Sequence, residues 1–240
     1  MNGLIALLGS GEYLPIMDDV DLYLLANCGA EGRKPRVVCL PTAAGQEGPK
    51  SVNRWSTMGV EHFTRLGADV QAVPVIDAES ANDQKNALAV EEADIVYFSG
   101  GDPNYLYKTM KDSMVWQAAQ NAWKRGAVYA GCSAGAMILG REIPDFRAMG
   151  LRSTTAFGIM PVASIMPHFD AIPLFGRPLI ATMRRRLRGS EVMIGVDENT
   201  AIVGKLFDEE WSVLGHSQAH VFTKEDNQSY NAGEKFSIGK

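Results

Sequence analysis

Short apolar runs alternate with longer amphipathic stretches from residue 4 to residue 139, and this alternation leaves few fold classes open. The apolar runs cover residues 4–8, 36–40, 69–75, 95–98 and 127–131. They are apolar at consecutive positions, which is typical of strands that are covered on both faces. Residues 51–66 and 114–124 have the periodicity of amphipathic helices. The pattern predicts an α/β fold with a mostly parallel central sheet between two helical layers, a three-layer αβα sandwich.

The pattern changes after Gly140. The next stretch is less regular and contains four prolines, which are poorly tolerated inside helices and strands: Pro144, Pro161, Pro167 and Pro173. Loops of this kind often hold functional residues. Farther along we expect a helix over 177–187, strands over 192–196, 200–203, 211–214 and 219–222, and a final hairpin after residue 223. No linker, repeat or low-complexity segment interrupts the sequence, so we expect one domain over residues 1–240.

The composition is that of a folded globular protein, with 46% of the 240 residues apolar and 21% charged. The net charge of −5 offers no overall attraction for a nucleic-acid backbone or an anionic membrane, so we expect neither as a partner. Three cysteines form no C-x-x-C pair, which favours a reducing compartment. The N-terminal segment has neither the basic residues of a signal peptide nor the length of a membrane span. We therefore expect a cytoplasmic protein.

The most specific motif is G-x-S-x-G at residues 131–135, between a predicted strand and a predicted helix of small residues. This pattern is typical of a nucleophile elbow, a tight strand-to-helix turn that only small neighbours permit. It would present Ser133 at a helix N-terminus, where the N–H of Ala134 faces a developing oxyanion. The alternative is a glycine-rich turn that only packs closely. Cys132 flanks the centre of the motif, so we expect its thiol to be buried and inert.

A serine hydroxyl needs a base, and the sequence contains four histidines. His62 lies in the middle of a predicted helix, where a packed or solvated role is expected. His216 and His220 have the spacing of a zinc helix, but no glutamate adjoins them and the segment is typical of a turn and a strand. His168 lies in the irregular region after the elbow and is the best candidate, although a histidine packed in a proline-containing loop remains the alternative.

Three acidic residues downstream of the elbow are candidates for orienting that base: Asp145, Asp170 and Glu198. Glu198 follows a short predicted strand, and ligand sites in open α/β sheets lie at the carboxyl ends of strands. Asp170 is only two residues from His168, and Asp145 lies in a proline turn. The pattern favours Glu198 and leaves the other two open.

A second oxyanion donor is expected at the end of another strand. Gly100 and Gly101 follow the strand over 95–98, and their amides can approach a ligand because no Cβ obstructs them. An ordinary turn is the alternative. The segment over residues 9–14 begins like a dinucleotide fingerprint but has Leu14 in place of the third glycine, so we reject that reading.

Together these segments resemble the aspartyl dipeptidase (dipeptidase E) and cyanophycinase family of serine peptidases, which have a class I glutamine amidotransferase-like fold. The resemblance implies Ser133 as nucleophile, His168 as base and Glu198 as the residue that orients it. The order Ser, His, Glu also differs from that of the α/β-hydrolases, where the acid precedes the histidine. The motifs that match are Leu40-Pro41-Thr42-Ala43, Phe98-Ser99-Gly100-Gly101-Asp102, Gly131-Cys132-Ser133-Ala134-Gly135-Ala136, Pro167-His168-Phe169 and Ile194-Gly195-Val196-Asp197-Glu198-Asn199-Thr200-Ala201.

The resemblance also implies an oxyanion hole formed by amides of Gly100 or Gly101 and Ala134. Dipeptidases of this family cleave after an N-terminal aspartate, which requires a cation for the aspartate side chain. Arg177 is our first candidate for that cation, ahead of Arg141 and Arg152. Asp170 and Asp102 are further candidates for contact with the substrate.

The expected partner is a short peptide, with no cofactor and no metal, and the chain is expected to act as a monomer or a homodimer. The segment after His168 is longer and more apolar than the polar stretch of cyanophycinases, which disfavours cleavage of β-aspartyl-arginine linkages. Two other classes remain as alternatives. Glutamine amidotransferases of this fold use cysteine at the elbow centre, and a relative without catalytic activity would act in binding or regulation.

Overall fold

The computed structural model describes residues 2–145, 152–173, 177–206, 208 and 210–238, and of Arg177 it describes the backbone alone. These parts of the chain contain the strands β1 Ile5–Leu8, β2 Arg36–Leu40, β3 Asp69–Ala72, β4 Ile95–Phe98, β5 Val128–Cys132, β6 Glu142–Pro144, β7 Ser153–Thr155, β8 Ser164–Met166, β9 Met193–Val196, β10 Thr200–Gly204, β11 Trp211–Gly215, β12 Gln218–Phe222, β13 Asn227–Asn231 and β14 Lys235–Phe236. The α-helices are α1 Asp18–Ala26, α2 Pro49–Arg65, α3 Ala78–Ala81, α4 Gln84–Glu91, α5 Pro103–Met110, α6 Met114–Arg125, α7 Ala134–Met137 and α8 Arg177–Arg185.

The main sheet has eight strands in the order β14-β11-β10-β1-β5-β4-β2-β3. Strands β1, β5, β4, β2 and β3 run parallel to one another. The three strands on the other side of β1 are antiparallel. The predicted α/β fold with a mostly parallel central sheet is therefore confirmed, with an antiparallel extension at one edge.

Helices cover both faces of this sheet because successive apolar side chains of its central strands point to alternate faces. In β4, Ile95 and Tyr97 face the core that α1 and α2 cover. Val96 and Phe98 face the opposite core, which α4, α5 and α6 cover. Phe98 is fully buried, and burial of such a side chain contributes about 1.5–3 kcal/mol. Apolar residues at consecutive positions are thus explained by two cores, one on each face.

A second sheet has four strands in the order β13-β12-β9-β8 and lies after the elbow in sequence. Strands β6 and β7 form a separate antiparallel pair. The predicted final hairpin is wrong, because β13 pairs with β12 of the second sheet and β14 pairs with β11 of the main sheet. Strand β13 forms a hairpin with the preceding strand β12, whereas β14 pairs with a strand farther back in the chain.

The predicted helices over 51–66, 114–124 and 177–187 correspond to α2, α6 and α8. Helix α6 begins after Ser113, whose hydroxyl accepts the Trp116 N–H, and it ends at Gly126 with φ of 121°. Among the described residues, no helix has both the length and the apolar character needed to cross a bilayer.

Candidate active site

Ser133 lies at the turn between β5 and α7 with a strained backbone, at φ 49° and ψ −106°. Non-glycine residues seldom adopt this conformation, and such strain is often found at functional sites. Two flanking glycines allow the turn. A Cβ on Gly131 would lie 2.4 Å from the carbonyl oxygen of Gly135, and one on Gly135 would lie 2.5 Å from that of Phe98. The local sequence therefore forms the tight elbow that its motif predicted.

Three side chains from separate segments form a hydrogen-bonded chain at this elbow. The Ser133 hydroxyl lies 3.1 Å from Nε2 of His168. Nδ1 of the same imidazole lies 2.8 Å from Oε1 of Glu198. The histidine and the glutamate are both partly exposed, so the chain of contacts is open to solvent. An imidazole held in this way can accept the hydroxyl proton while the carboxylate stabilises the imidazolium.

Packing of the residue after His168 anchors the loop that bears the imidazole. His168 has a positive φ of 49°, and the backbone N–H of Phe169 donates to the carbonyl of Val196 over 3.1 Å. The Phe169 ring packs on Gly195, where a Cβ would lie 2.6 Å from it. It also packs on the His220 ring, with 4.5 Å between centroids. A strand glycine thus makes room for the ring that anchors this loop.

The other two acidic candidates have different positions. Asp170 Oδ1 accepts the backbone N–H of Glu198 at 2.8 Å, so it supports the segment that holds Glu198. Asp145 lies on the wall of the cleft, and its backbone N–H donates to the carbonyl of Arg152 at 3.0 Å. Glu198 is the acidic side chain that contacts His168 Nδ1 in the structure.

The glycine turn after β4 differs from the expectation in one respect. The Gly100 N–H donates to Oε1 of Glu12 at 2.8 Å and is therefore directed away from the site. The structure therefore does not support Gly100 as an oxyanion donor. Gly101 lines the cleft beside Ser133, and Ala134 is the first residue of α7, where an N–H has no intrahelical acceptor. These two amides remain available as donors.

A cleft of about 800 Å³ opens in front of the Ser133 hydroxyl. Among the described residues its wall is formed by Gly101, Asp102, Pro103, Asn104, Ser133, Met137, Pro144, Asp145, Pro167, His168, Ala171, Ile172, Pro173 and Leu179. One of the predicted substrate contacts, Asp102, is on this wall and also caps α5, because its Oδ1 accepts the N–H groups of Asn104 and Tyr105.

No lysine or arginine is among the wall residues that the structure describes. The predicted cation, Arg177, begins α8, but its side chain lies outside the described residues. Arg141 forms an ion pair with Glu191, and Arg152 is exposed. The structure therefore leaves the partner of an aspartate side chain unassigned.

The remaining cysteine and histidine candidates lie outside the hydrogen-bonded chain. Cys132 is buried at 0% exposure, and burial raises the pKa of its thiol well above the ordinary value. His62 is buried and bonds to Asp21, and His220 bonds to Asp197. His216 contacts the carbonyl of Ile16. In the part of the chain that the structure describes, His, Cys, Asp and Glu side chains form no group of three that could hold a metal ion.

Comparison with known proteins identifies the family of this chain. The sequence model of peptidase family S51 matches residues 5–208. The chain belongs to peptidase family S51. Among its relatives, Peptidase E of Citrobacter koseri is 29% identical over 228 residues, covering 90% of this chain and 96% of the relative. An uncharacterized peptidase of Bacillus subtilis, YgaJ, is 28% identical over 172 residues, covering 71% and 70%.

Two solved structures resemble this chain. A peptidase from an acI-B1 Actinobacterium superposes with a TM-score of 0.87 at 35% identity, covering 99% of this chain and 97% of that one. A putative Peptidase E from Listeria monocytogenes EGD-e superposes with a TM-score of 0.65 at 18% identity, covering 90% and 100%. The second likeness concerns the fold alone.

Sequence reasoning missed one residue at this S51 site. Glu12 lies in the segment over residues 9–14, which was rejected as a dinucleotide fingerprint. In the structure its carboxylate lies between the turn after β4 and the elbow. An acidic residue in a glycine-rich loop after a buried strand was the available signal. Its burial depends on three strand ends that converge only in the folded chain.

Proposed function

We propose that this S51 peptidase is a serine exopeptidase of short peptides, with Ser133, His168 and Glu198 as its catalytic residues. The observation that supports the proposal is the continuous hydrogen-bonded chain from Ser133 Oγ through His168 to Glu198, at 3.1 Å and 2.8 Å. A serine hydroxyl alone is a weak nucleophile, and an oriented imidazole is the usual means of activating it.

The reaction follows from this arrangement. Ser133 Oγ attacks the scissile carbonyl as His168 Nε2 takes its proton, and Glu198 holds the imidazole with Nδ1 protonated. The N–H groups of Gly101 and Ala134 stabilise the oxyanion. The tetrahedral intermediate collapses as His168 returns the proton to the leaving amine, which breaks the peptide bond. Water, deprotonated by His168, then hydrolyses the acyl-enzyme and frees Ser133.

The proposed substrates are dipeptides with an N-terminal aspartate. Support comes from the relatives named Peptidase E and from a cleft whose volume suits a short peptide. We assign Arg177 to the aspartate side chain, with Asp102 and Asp170 as further contacts to the peptide. The three free, buried cysteines suit an enzyme of the cytoplasm.

A dipeptide panel tests this proposal. It compares Asp-Leu, Leu-Leu, N-acetyl-Asp-Leu, β-Asp-Arg and glutamine as substrates of the wild type and Ser133→Ala. We expect rapid hydrolysis of Asp-Leu alone, with loss of turnover in Ser133→Ala. Preference for β-Asp-Arg would indicate that the substrates are isopeptides. Release of ammonia from glutamine would indicate an amidotransferase-type activity. Wild-type turnover of Asp-Leu by Ser133→Ala would refute the serine mechanism.

A further inference from the structure

Glu12 is buried, with only 8% of its surface exposed, although it bears a carboxylate. It lies in the loop after β1, close to the segment that holds Glu198. The Gly9 N–H donates to the carbonyl of Thr200 at 2.9 Å, and a Cβ on Gly9 would lie 2.0 Å from the carbonyl oxygen of Asp197. These contacts fix Gly9, three residues before Glu12, against the segment that holds Glu198.

Both carboxylate oxygens of Glu12 accept hydrogen bonds from residues beside the site. Oε1 accepts the Gly100 N–H at 2.8 Å, and Oε2 accepts the Cys132 S–H at 2.9 Å. Burial, followed by the charge of Glu12, raises the pKa of the Cys132 thiol, so the thiol remains protonated and donates. Gly100 directly precedes Gly101, and Cys132 lies two residues before Ala134. One carboxylate thus joins both halves of the proposed oxyanion hole.

The close approach of the Glu12 carboxylate to the backbone at position 100 requires glycine there. A Cβ there would lie 2.8 Å from Glu12 Oε1 and 3.3 Å from the Cβ of Ser133. Burial of a carboxylate is costly unless its oxygens are bonded, and here two strand ends supply the donors. A carboxylate that served the fold alone would not need to bond to both segments that flank the nucleophile.

We infer that Glu12 is a positioning residue that sets the N–H groups of Gly101 and Ala134 relative to each other. The inference rests on the proposed function, because an oxyanion arises only if Ser133 attacks a carbonyl. Oxyanion donors must point to where the charge develops, and a displacement of about 1 Å costs about 10²-fold in rate. Loss of Glu12 therefore weakens binding of the transition state and leaves binding of the substrate intact.

The test compares Glu12→Ala, Glu12→Gln and a matched control, Asp94→Asn. Asp94 is also 8% exposed and accepts the Arg36 N–H, but it directly precedes β4, at the end of that strand away from the active site. Glutamine keeps an oxygen for the Gly100 N–H and turns its NH2 group toward the Cys132 thiol, so it rescues the site only in part. The measurements are kcat and KM for Asp-Leu, the Kd of Asp-Leu on a Ser133→Ala background, and Tm.

We expect kcat to fall about 100-fold in Glu12→Ala and about 10-fold in Glu12→Gln, while KM and Kd stay within about threefold. Asp94→Asn should lower Tm with kcat unchanged. If Glu12→Ala does not fold, the comparison of kcat between Glu12→Gln and Asp94→Asn decides whether the inference holds. A wild-type kcat in Glu12→Gln would overturn the inference. An equal loss of kcat in Asp94→Asn would overturn it as well. A wild type that neither hydrolyses dipeptides nor reacts at Ser133 would instead refute the proposed function.

Discussion

The Asp170 carboxylate accepts the backbone N–H of Glu198, with 2.8 Å between Oδ1 and the amide nitrogen. This bond joins the loop that bears His168 to the strand end that bears Glu198. The contact between the imidazole and the glutamate therefore does not depend on the two side chains alone, because the Asp170 side chain also holds the backbone of Glu198.

Replacement of Asp170 should lower kcat by separating these segments. We expect Asp170→Ala to lower kcat about 10-fold and Asp170→Asn to lower it less, since the asparagine oxygen still accepts the Glu198 N–H. Steady-state kinetics on Asp-Leu provide the comparison. Equal activity of the alanine variant and the wild type would show that the bond is dispensable.

The Glu198→Gln variant should retain its fold and lose most of its activity. Glutamine occupies the same volume at a partly exposed position, but its uncharged side chain no longer stabilises the imidazolium. We expect kcat to fall about 10²–10⁴-fold with Tm nearly unchanged. A near wild-type kcat would transfer the orienting role to Asp145 or Asp170.

A methyl group on Gly195 should disturb the site indirectly. A Cβ there would lie 2.6 Å from the Phe169 ring, which anchors the loop of His168. Gly204→Ala is the matched control, because its Cβ would lie 2.6 Å from the Trp211 ring, away from the site. Both variants should lose stability, by about 1–3 kcal/mol, since overpacking displaces a packed ring.

Only Gly195→Ala should also lose kcat, by about 10-fold or more, because displacement of the ring shifts His168. The kinetics are measured at a temperature where both variants are folded by circular dichroism. Equal kcat values for the two alanine variants would disprove the anchoring role of Phe169.

Acid should destabilise the fold partly through Asp197. Burial raises the pKa of this carboxyl, but hydrogen bonds from His220 and Ser217 outweigh burial and hold the pKa below its ordinary value. A carboxyl with a lowered folded-state pKa stabilises the fold above its unfolded pKa of about 3.9, and this stabilisation is lost as pH falls through the folded-state value.

The Tm difference between the wild type and Asp197→Asn should therefore be largest near neutral pH and should shrink as pH falls below about 4. Thermal unfolding between about pH 3 and pH 7 measures it, with the exposed Glu31→Gln as control. A difference that stays constant with pH would exclude Asp197 as a source of acid sensitivity.

The sequence predicted those parts of the molecule that local chemistry determines. Consecutive apolar residues indicated the buried parallel strands, and the glycines around Ser133 indicated the elbow. His168 and Glu198 were expected beside Ser133, and the structure brings the three side chains together, while their catalytic role remains a prediction. The pairing of β14 with β11 and the burial of Glu12 depend on segments that lie apart in sequence and meet only in the folded chain. Local patterns do not specify which of these segments will meet.

Reaction with a fluorophosphonate tests the activated serine most directly. Such a probe is attacked by an activated hydroxyl, so intact-mass and peptide-mass analysis of the labelled chain reports the reactive residue. We predict one adduct per chain, on Ser133, that is absent in Ser133→Ala and forms about 100-fold more slowly in His168→Ala. No adduct on the folded wild type, or an adduct that persists in Ser133→Ala, would contradict the account.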